Sequence, residues 1–111
     1  MTVAVIGSRT FTDYDRLAKV LNGMTITRLV SGGAKGADSL AEKWAAEMDI
    51  PVTIFKPDWN RLGKSAGFVR NQDIVMEAEI VIAFWDNNSS GTRHSIELAG
   101  KLGKPVHIEF F

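Results

Sequence analysis

The chain has 111 residues, 45% hydrophobic and 23% charged, with 13 basic residues balancing 13 acidic ones. That length and balance describe one ordinary globular domain, residues 1–111, with apolar content enough for a core. The absence of cysteine excludes disulfides, a thiolate nucleophile and a cysteine zinc site, and two histidines, His94 and His107, are too few and too scattered for a histidine metal cluster.

The first predicted element is Thr2–Ile6, a continuous apolar run of the kind buried on both faces in a parallel sheet. It ends in Gly7-Ser8-Arg9-Thr10-Phe11, a small-residue turn with one arginine. Thr12 or Asp13 caps a first helix whose apolar stripe is Leu17, Val20, Leu21 and Met24. A second strand, Ile26–Ser31, enters Gly32-Gly33-Ala34-Lys35-Gly36, three glycines in five residues. A second helix follows at once, with Ala37, Leu40, Ala41, Trp44, Ala45 and Met48 on one face, and Asp49 ends it. Pro51–Phe55 reads as a third strand and Lys56–Lys64 as a polar loop. A third helix runs from about Ser65 to Met76, and Ile80–Trp85 is the most apolar strand. It empties into Asp86-Asn87-Asn88-Ser89-Ser90-Gly91-Thr92. A fourth helix, from about Arg93 to Leu102, stops at Gly103, and Pro105–Phe110 is the last strand.

Strands alternating with helices predict an α/β fold: a five-stranded, mainly parallel Rossmann-like sheet, order 3-2-1-4-5, with helices on both faces. Ligands of such sheets bind at the carboxyl edge, where neighbouring strands one and four turn outward in opposite directions. Four loops therefore matter: Gly7–Phe11, Ser31–Asp38, Lys56–Arg70 and Asp86–His94.

A glycine turn between strand and helix presents bare N–H groups and a helix dipole to an anion, most often a phosphate. The same glycines also serve if they only let helix and sheet pack closely. The turn lacks the G-x-G opening of a dinucleotide fingerprint. Gly63-Lys64-Ser65 resembles the end of a phosphate-binding P-loop, but Asp58 stands where its first glycine is required. Asp58–Gly63 opens like a calcium loop, yet Leu62 and Val69 occupy ligand positions. Ser89, Ser90, Gly91, Thr92 and Arg93 form a second nest at a helix amino end. Two nests on one edge suit a ligand with two phosphates, or a phosphate and a ribose. Taken singly, Ser90 or Thr92 reads as a helix cap, and Lys35 and Lys64 as solvated charges. Arg70 and Asn71 stand mid-helix among apolar residues, so Asn71 points at a backbone loop or a ligand. Trp59 and Trp85 lie at the edge loops, where either could stack on a base or serve the core instead, Trp59 being the better stacking candidate.

The set Gly7-Ser8-Arg9, Ser31 to Asp38, Lys64-Ser65-Ala66-Gly67 with Arg70-Asn71, and Ser90-Gly91-Thr92 resembles the SLOG superfamily, and more closely its YspA-like branch of bacterial and phage proteins. The resemblance runs over nearly the whole chain in the right order. It implies a Rossmann-like fold for nucleotides or nucleotide-derived ligands, as in the similar Lonely Guy phosphoribohydrolases, the DNA-processing protein A family, and sensors or sequestering proteins for NAD-derived signals. The phosphoribohydrolases carry a glutamate three residues after the Gly-Thr pair. Here that position is Ser95, and Glu97, five residues beyond Thr92, is expected to face solvent. Asp86, Asp38 and His94 remain as candidate catalytic groups, Asp86 being the better placed for a ribose hydroxyl or an acid/base role.

The expected site comprises Gly7, Ser8, Arg9, Ser31, Gly32, Gly33, Lys35, Gly36, Asp38, Trp59, Lys64, Arg70, Asn71, Asp86, Ser89, Ser90, Gly91, Thr92 and Arg93, with no metal and no cofactor. The leading expectation is a binder of a nucleotide or an NAD- or ADP-ribose-derived molecule, a sensor or a sequestering protein such as a phage sponge for signalling nucleotides. The alternative is a hydrolase of the N-glycosidic bond, and an interaction module ranks last. Zero net charge argues against nucleic acid as a partner. No signal pattern and no spanning apolar run imply a cytoplasmic protein away from membranes. The relatives imply a homodimer or larger assembly, to which the apolar tail Phe110-Phe111 would contribute.

Overall fold

A computed structural model of the chain describes residues Met1–Phe111. Its strands are β1 (Thr2–Gly7), β2 (Arg28–Ser31), β3 (Val52–Ile54), β4 (Ile80–Trp85) and β5 (Val106–Phe110). Its helices are α1 (Tyr14–Asn22), α2 (Ala37–Glu47), α3 (Trp59–Leu62), α4 (Ala66–Glu77) and α5 (Ser90–Lys101). All strand pairs are parallel, in the expected order β3-β2-β1-β4-β5.

Continuous apolar strands bury both faces, and alternation sends their side chains to two cores. On one side, Val3 and Val5 of β1 and Ile82 and Phe84 of β4 pack with Leu17 and Leu21 of α1 and Ala41, Trp44 and Ala45 of α2. On the other, Ala4, Ile6, Val81 and Ala83 pack with Ile74 and Val75 of α4 and Ala99 of α5. Small residues on α2 bring that helix close to the sheet. A Cβ on Gly7 would stand 2.6 Å from Ala37 Cβ and 2.5 Å from the Phe84 carbonyl oxygen. Only glycine fits at the end of β1, so the first turn is wedged between α2 and β4.

Asp13 is the cap of α1, its carboxylate accepting from Arg16 N at 3.1 Å. The stripe below it is narrower than expected: Leu17 and Leu21 are fully buried, while Val20 and Met24 lie half-buried at its edge.

Three boundaries differ from the sequence reading. The loop Lys56–Lys64 contains α3, capped by Asp58, which accepts from Arg61 N at 3.1 Å, and a 3-10 turn, Gly63–Ser65, links it to α4. Helix α4 then runs from Ala66 to Glu77. Helix α5 begins at Ser90 rather than Arg93, because the Ser89 hydroxyl accepts from Thr92 N and pairs with Thr92 Oγ1 at 2.9 Å. The tail folds back on its own chain: Phe111 meets Phe11 edge-on at 4.9 Å between ring centres, and Phe110 lies 5.9 Å from Trp85. No helix is long and apolar enough to cross a membrane.

Candidate functional site

The switch point between β1 and β4 opens into a cleft of about 570 Å³. The turn after β1 supplies Gly7, Ser8, Arg9 and Thr10. The glycine loop and α2 supply Ala34 and Asp38, α4 supplies Arg70, Asn71 and Ile74, and the segment after β4 supplies Asp86, Asn88, Ser89, Ser90, Gly91, Thr92 and Ser95. Of 17 lining residues only three, Ile6, Ala34 and Ile74, are hydrophobic. Pockets for drug-like ligands are of similar size but mostly apolar, so this lining suits a strongly polar ligand.

The loops hold one another. Ser8 is buried, its N–H donates to the Phe84 carbonyl at 2.9 Å, and its hydroxyl accepts from Asp86 N at 3.2 Å. Gly36 has φ +80°, and a Cβ there would collide with the Ser8 carbonyl and the Arg9 backbone. The glycine loop is therefore pressed against the first turn, and glycine is required on both counts.

Asp38 sits at the start of α2 with 6% of its surface exposed. Its Oδ2 accepts from Gly32 N at 3.2 Å and Ala34 N at 3.3 Å. Gly33 N donates to Ser31 Oγ at 3.3 Å, and Ser31 in turn donates to Glu42 at 2.6 Å. The N–H groups of Gly32, Gly33 and Ala34 thus point to the chain's own oxygens, whereas those of Lys35 and Gly36 have no protein partner. Burial pushes the Asp38 carboxyl up to about 6, and the two N–H bonds and the Arg70 charge offset that only in part.

Asp86 behaves in the opposite way. Its Oδ1 accepts from Asn88 N at 2.8 Å and Ser89 N at 2.9 Å, which hold its pKa below the ordinary carboxylate value. It closes the turn that leads into α5 and stays ionised at neutral pH. That leaves it a poor proton donor at neutral pH. With Ser89 capping Thr92, the N–H groups of Ser90 and Gly91 are left without a protein partner at the amino end of a 12-residue helix.

Arg70 donates from Nη1 to the Gly32 carbonyl at 2.8 Å and from Nε to Asn71 Oδ1 at 3.0 Å. Asn71 Nδ2 reaches the Gly91 carbonyl at 3.5 Å and His94 Nδ1 at 3.3 Å. Asn71 therefore points at backbone and at two side chains, bracing the glycine loop against α5. Arg9 is exposed at the cleft and belongs to none of the ion pairs.

Several expected site residues lie off the cleft. Ser31, Gly32, Gly33 and Gly36 shape the loop behind Asp38, and Lys35 and Lys64 are exposed outside the lining. Trp59 is 57% exposed on α3 and is not part of the lining. Arg93 stacks over the Trp85 ring at 5.6 Å, and Trp85 Nε1 donates to the Ser89 carbonyl, so both brace the α5 turn. His94 packs against Phe68 at 4.6 Å between ring centres. Ser95, three residues after Thr92, does face the cleft, its hydroxyl donating to the Gly91 carbonyl at 3.3 Å, whereas Glu97 is exposed. Besides Ile6, Ile74 and Ser95, the loop residues Thr10, Ala34 and Asn88 are lining residues that sequence reasoning missed. Their one signal was position, each falling within a loop at the carboxyl edge.

A parallel sheet of this order with a polar switch-point cleft defines a Rossmann-like α/β protein. The model of the YspA, cpYpsA-related SLOG family matches residues 1–62. The "Gene 61 protein" of Mycobacterium phage D29 is 36% identical over 118 residues, which cover 94% of this chain and 92% of that protein. The chain belongs to the YspA, cpYpsA-related SLOG family. Among solved structures, DNA processing protein A from Streptococcus pneumoniae superposes with a TM-score of 0.81 at 24% identity, over 96% of this chain and 49% of that one. The Helicobacter pylori DNA processing protein A superposes at 0.74 with 25% identity, over 97% of this chain and 64% of that one. The chain thus spans about half to two thirds of those proteins.

One expectation is corrected here. Zero net charge argued against nucleic acid, yet the Helicobacter protein, similar over nearly this whole chain, binds single-stranded DNA. Net charge averages over a surface, while phosphate contacts are made by a few local groups, and here Arg9 and Arg70 both reach one cleft.

Proposed function

We propose that the chain binds the phosphate of a nucleotide-type ligand, such as an NAD- or ADP-ribose-derived molecule, and holds it without turnover. The observation that carries this reading is the pair of unpartnered N–H groups at Ser90 and Gly91, in the same polar cleft as an unpaired Arg9. Phosphate oxygens accept from both the N–H groups and the guanidinium and also neutralise the guanidinium charge, which a neutral ligand does not. A second source of the same phosphate is single-stranded DNA, a reading supported by the likeness to the Helicobacter protein.

The test is titration calorimetry with AMP, ADP-ribose, NAD and a short deoxyoligonucleotide, followed by denaturation and mass spectrometry of what is released. Binding with intact ligand recovered is the expected result. Tighter binding of the oligonucleotide than of any free nucleotide would favour the second source. Recovery of free base and ribose phosphate would instead establish hydrolysis. Arg9→Ala, at an exposed position, should keep the fold and weaken binding by about tenfold or more.

A further inference from the structure

The two loops that bring donors to the cleft are held from behind by two consecutive residues. Arg9 and Thr10 stand at the centre of a tight turn, closed where Phe11 N donates to the Ser8 carbonyl at 3.2 Å. Phe11 is the buried foot of that turn, and its ring packs on Phe84 at 4.6 Å and on Phe111 at 4.9 Å between ring centres. Ser89 is the foot of the other loop. Its N–H donates to Asp86, its hydroxyl caps Thr92, and its carbonyl accepts from Arg93 N and from Trp85 Nε1, both at 3.1 Å. The Trp85 ring lies 5.9 Å from Phe110. Phe111 thus reaches the turn that presents Arg9, and Phe110 reaches, through Trp85, the residue just before the free N–H groups of Ser90 and Gly91. The pair is itself anchored: Phe111 N donates to the Trp85 carbonyl at 3.2 Å, and the Phe110 carbonyl accepts from Arg16 Nη2 at 2.6 Å. Neither phenylalanine lines the cleft, and at 52% and 45% exposed the two add less to the core than buried rings would. What they do pack against is the two feet.

We infer that Phe110 and Phe111 are positioning residues for the cleft, setting the separation between Arg9 and the α5 amino end so that one phosphate meets both. This rests on the phosphate reading above and adds the element that holds its two sets of donors together. Donors fixed before the ligand arrives lose less freedom on binding, so a loosened clamp costs affinity without removing any contact to the ligand.

The test follows AMP binding by calorimetry and by NMR of the labelled protein. In the unaltered protein, AMP should shift the indole N–H resonance of Trp85, which does not line the cleft, and leave that of Trp44, bonded to Asn22, in place. Phe111→Ala and Trp85→Phe should each weaken AMP binding about fivefold, measured where both are folded. Trp85→Phe keeps an aromatic ring against Phe110 and removes the donor to Ser89. Phe111→Tyr, which keeps the ring against Phe11, should bind like the unaltered protein. Leu102→Ala, a truncation of similar exposure at the far end of α5, should leave the affinity unchanged. A Trp85 signal that stays still while AMP binds, or binding as tight in Phe111→Ala as in the unaltered protein, would overturn the inference and leave the phosphate reading standing. No AMP binding at all would overturn both. The two indole signals of the unaltered protein decide the matter even if a variant folds poorly.

Discussion

Replacing Gly36 by alanine should cost about 4 kcal/mol, a large share of the ~5–15 kcal/mol that holds a domain of this size together. Two penalties add. At φ +80° an L side chain is strained by about 1–3 kcal/mol. The new Cβ would also strike the Ser8 carbonyl and the Arg9 backbone, which belong to the turn wedged between α2 and β4 and cannot swing aside as a side-chain tip would. The melting temperature should fall by roughly 15 °C or more. Gly100 provides the contrast. It lies within α5 with open space around its would-be Cβ, so Gly100→Ala should stabilise by about 0.5 kcal/mol through helix propensity. Thermal unfolding of the two variants checks both signs. A mild effect at Gly36 would mean that the first turn and the glycine loop are not pressed together as described.

The second large effect is a pH dependence carried by Asp38. Its carboxyl ionises at about 6 in the folded protein, above the ordinary 3.8. The folded state therefore binds the proton more tightly than the unfolded chain does. The stability that the protonated form contributes is complete below about pH 4 and is lost as the pH rises through 6, a change of about 3 kcal/mol. Asp38→Asn removes that titration while keeping an oxygen to accept from Gly32 and Ala34. Subtracting the wild-type curve cancels every other titrating group that the substitution leaves alone. The variant should therefore gain about 3 kcal/mol relative to wild type between pH 4 and pH 7. Urea unfolding at several pH values measures the difference. A difference that is flat, or that shrinks as the pH rises, would mean that the N–H bonds and Arg70 outweigh burial.

Much of the architecture is legible in the residues. Uninterrupted apolar runs such as Val3–Ile6 and Ile80–Phe84 mark strands buried on both sides, and the alternation with helices leaves few sheet orders. The order then says which loops meet, and the cleft forms where those loops predict. The short helix α3 escapes because four residues carry no period, and its only sequence sign is the capping Asp58. The start of α5 escapes because Ser90 and Gly91 are weak helix formers, and the cap at Ser89 decides against propensity.

The roles of the two aspartates are not legible at all. Both follow small-residue turns, and both fall at the carboxyl edge. Only the folded chain shows that Asp38 curls back beneath the glycine loop to meet Gly32 and Ala34, while Asp86 closes its own turn in the open. The same folding-back explains why Gly32, Gly33 and Ala34, in the strongest phosphate signal of the sequence, have their N–H groups already engaged. The free groups that line the cleft are those of Ser90 and Gly91, in the quieter segment after β4.

Amide chemical-shift mapping on titrating AMP into the labelled protein tests the central claim most directly. A phosphate held by the first turn and the α5 amino end should shift the amides of Arg9, Thr10, Ser90 and Gly91 most, and leave Gly32, Gly33 and the α3 residues near their starting positions. Largest shifts in the glycine loop or around Trp59, or no shifts at all, would contradict it.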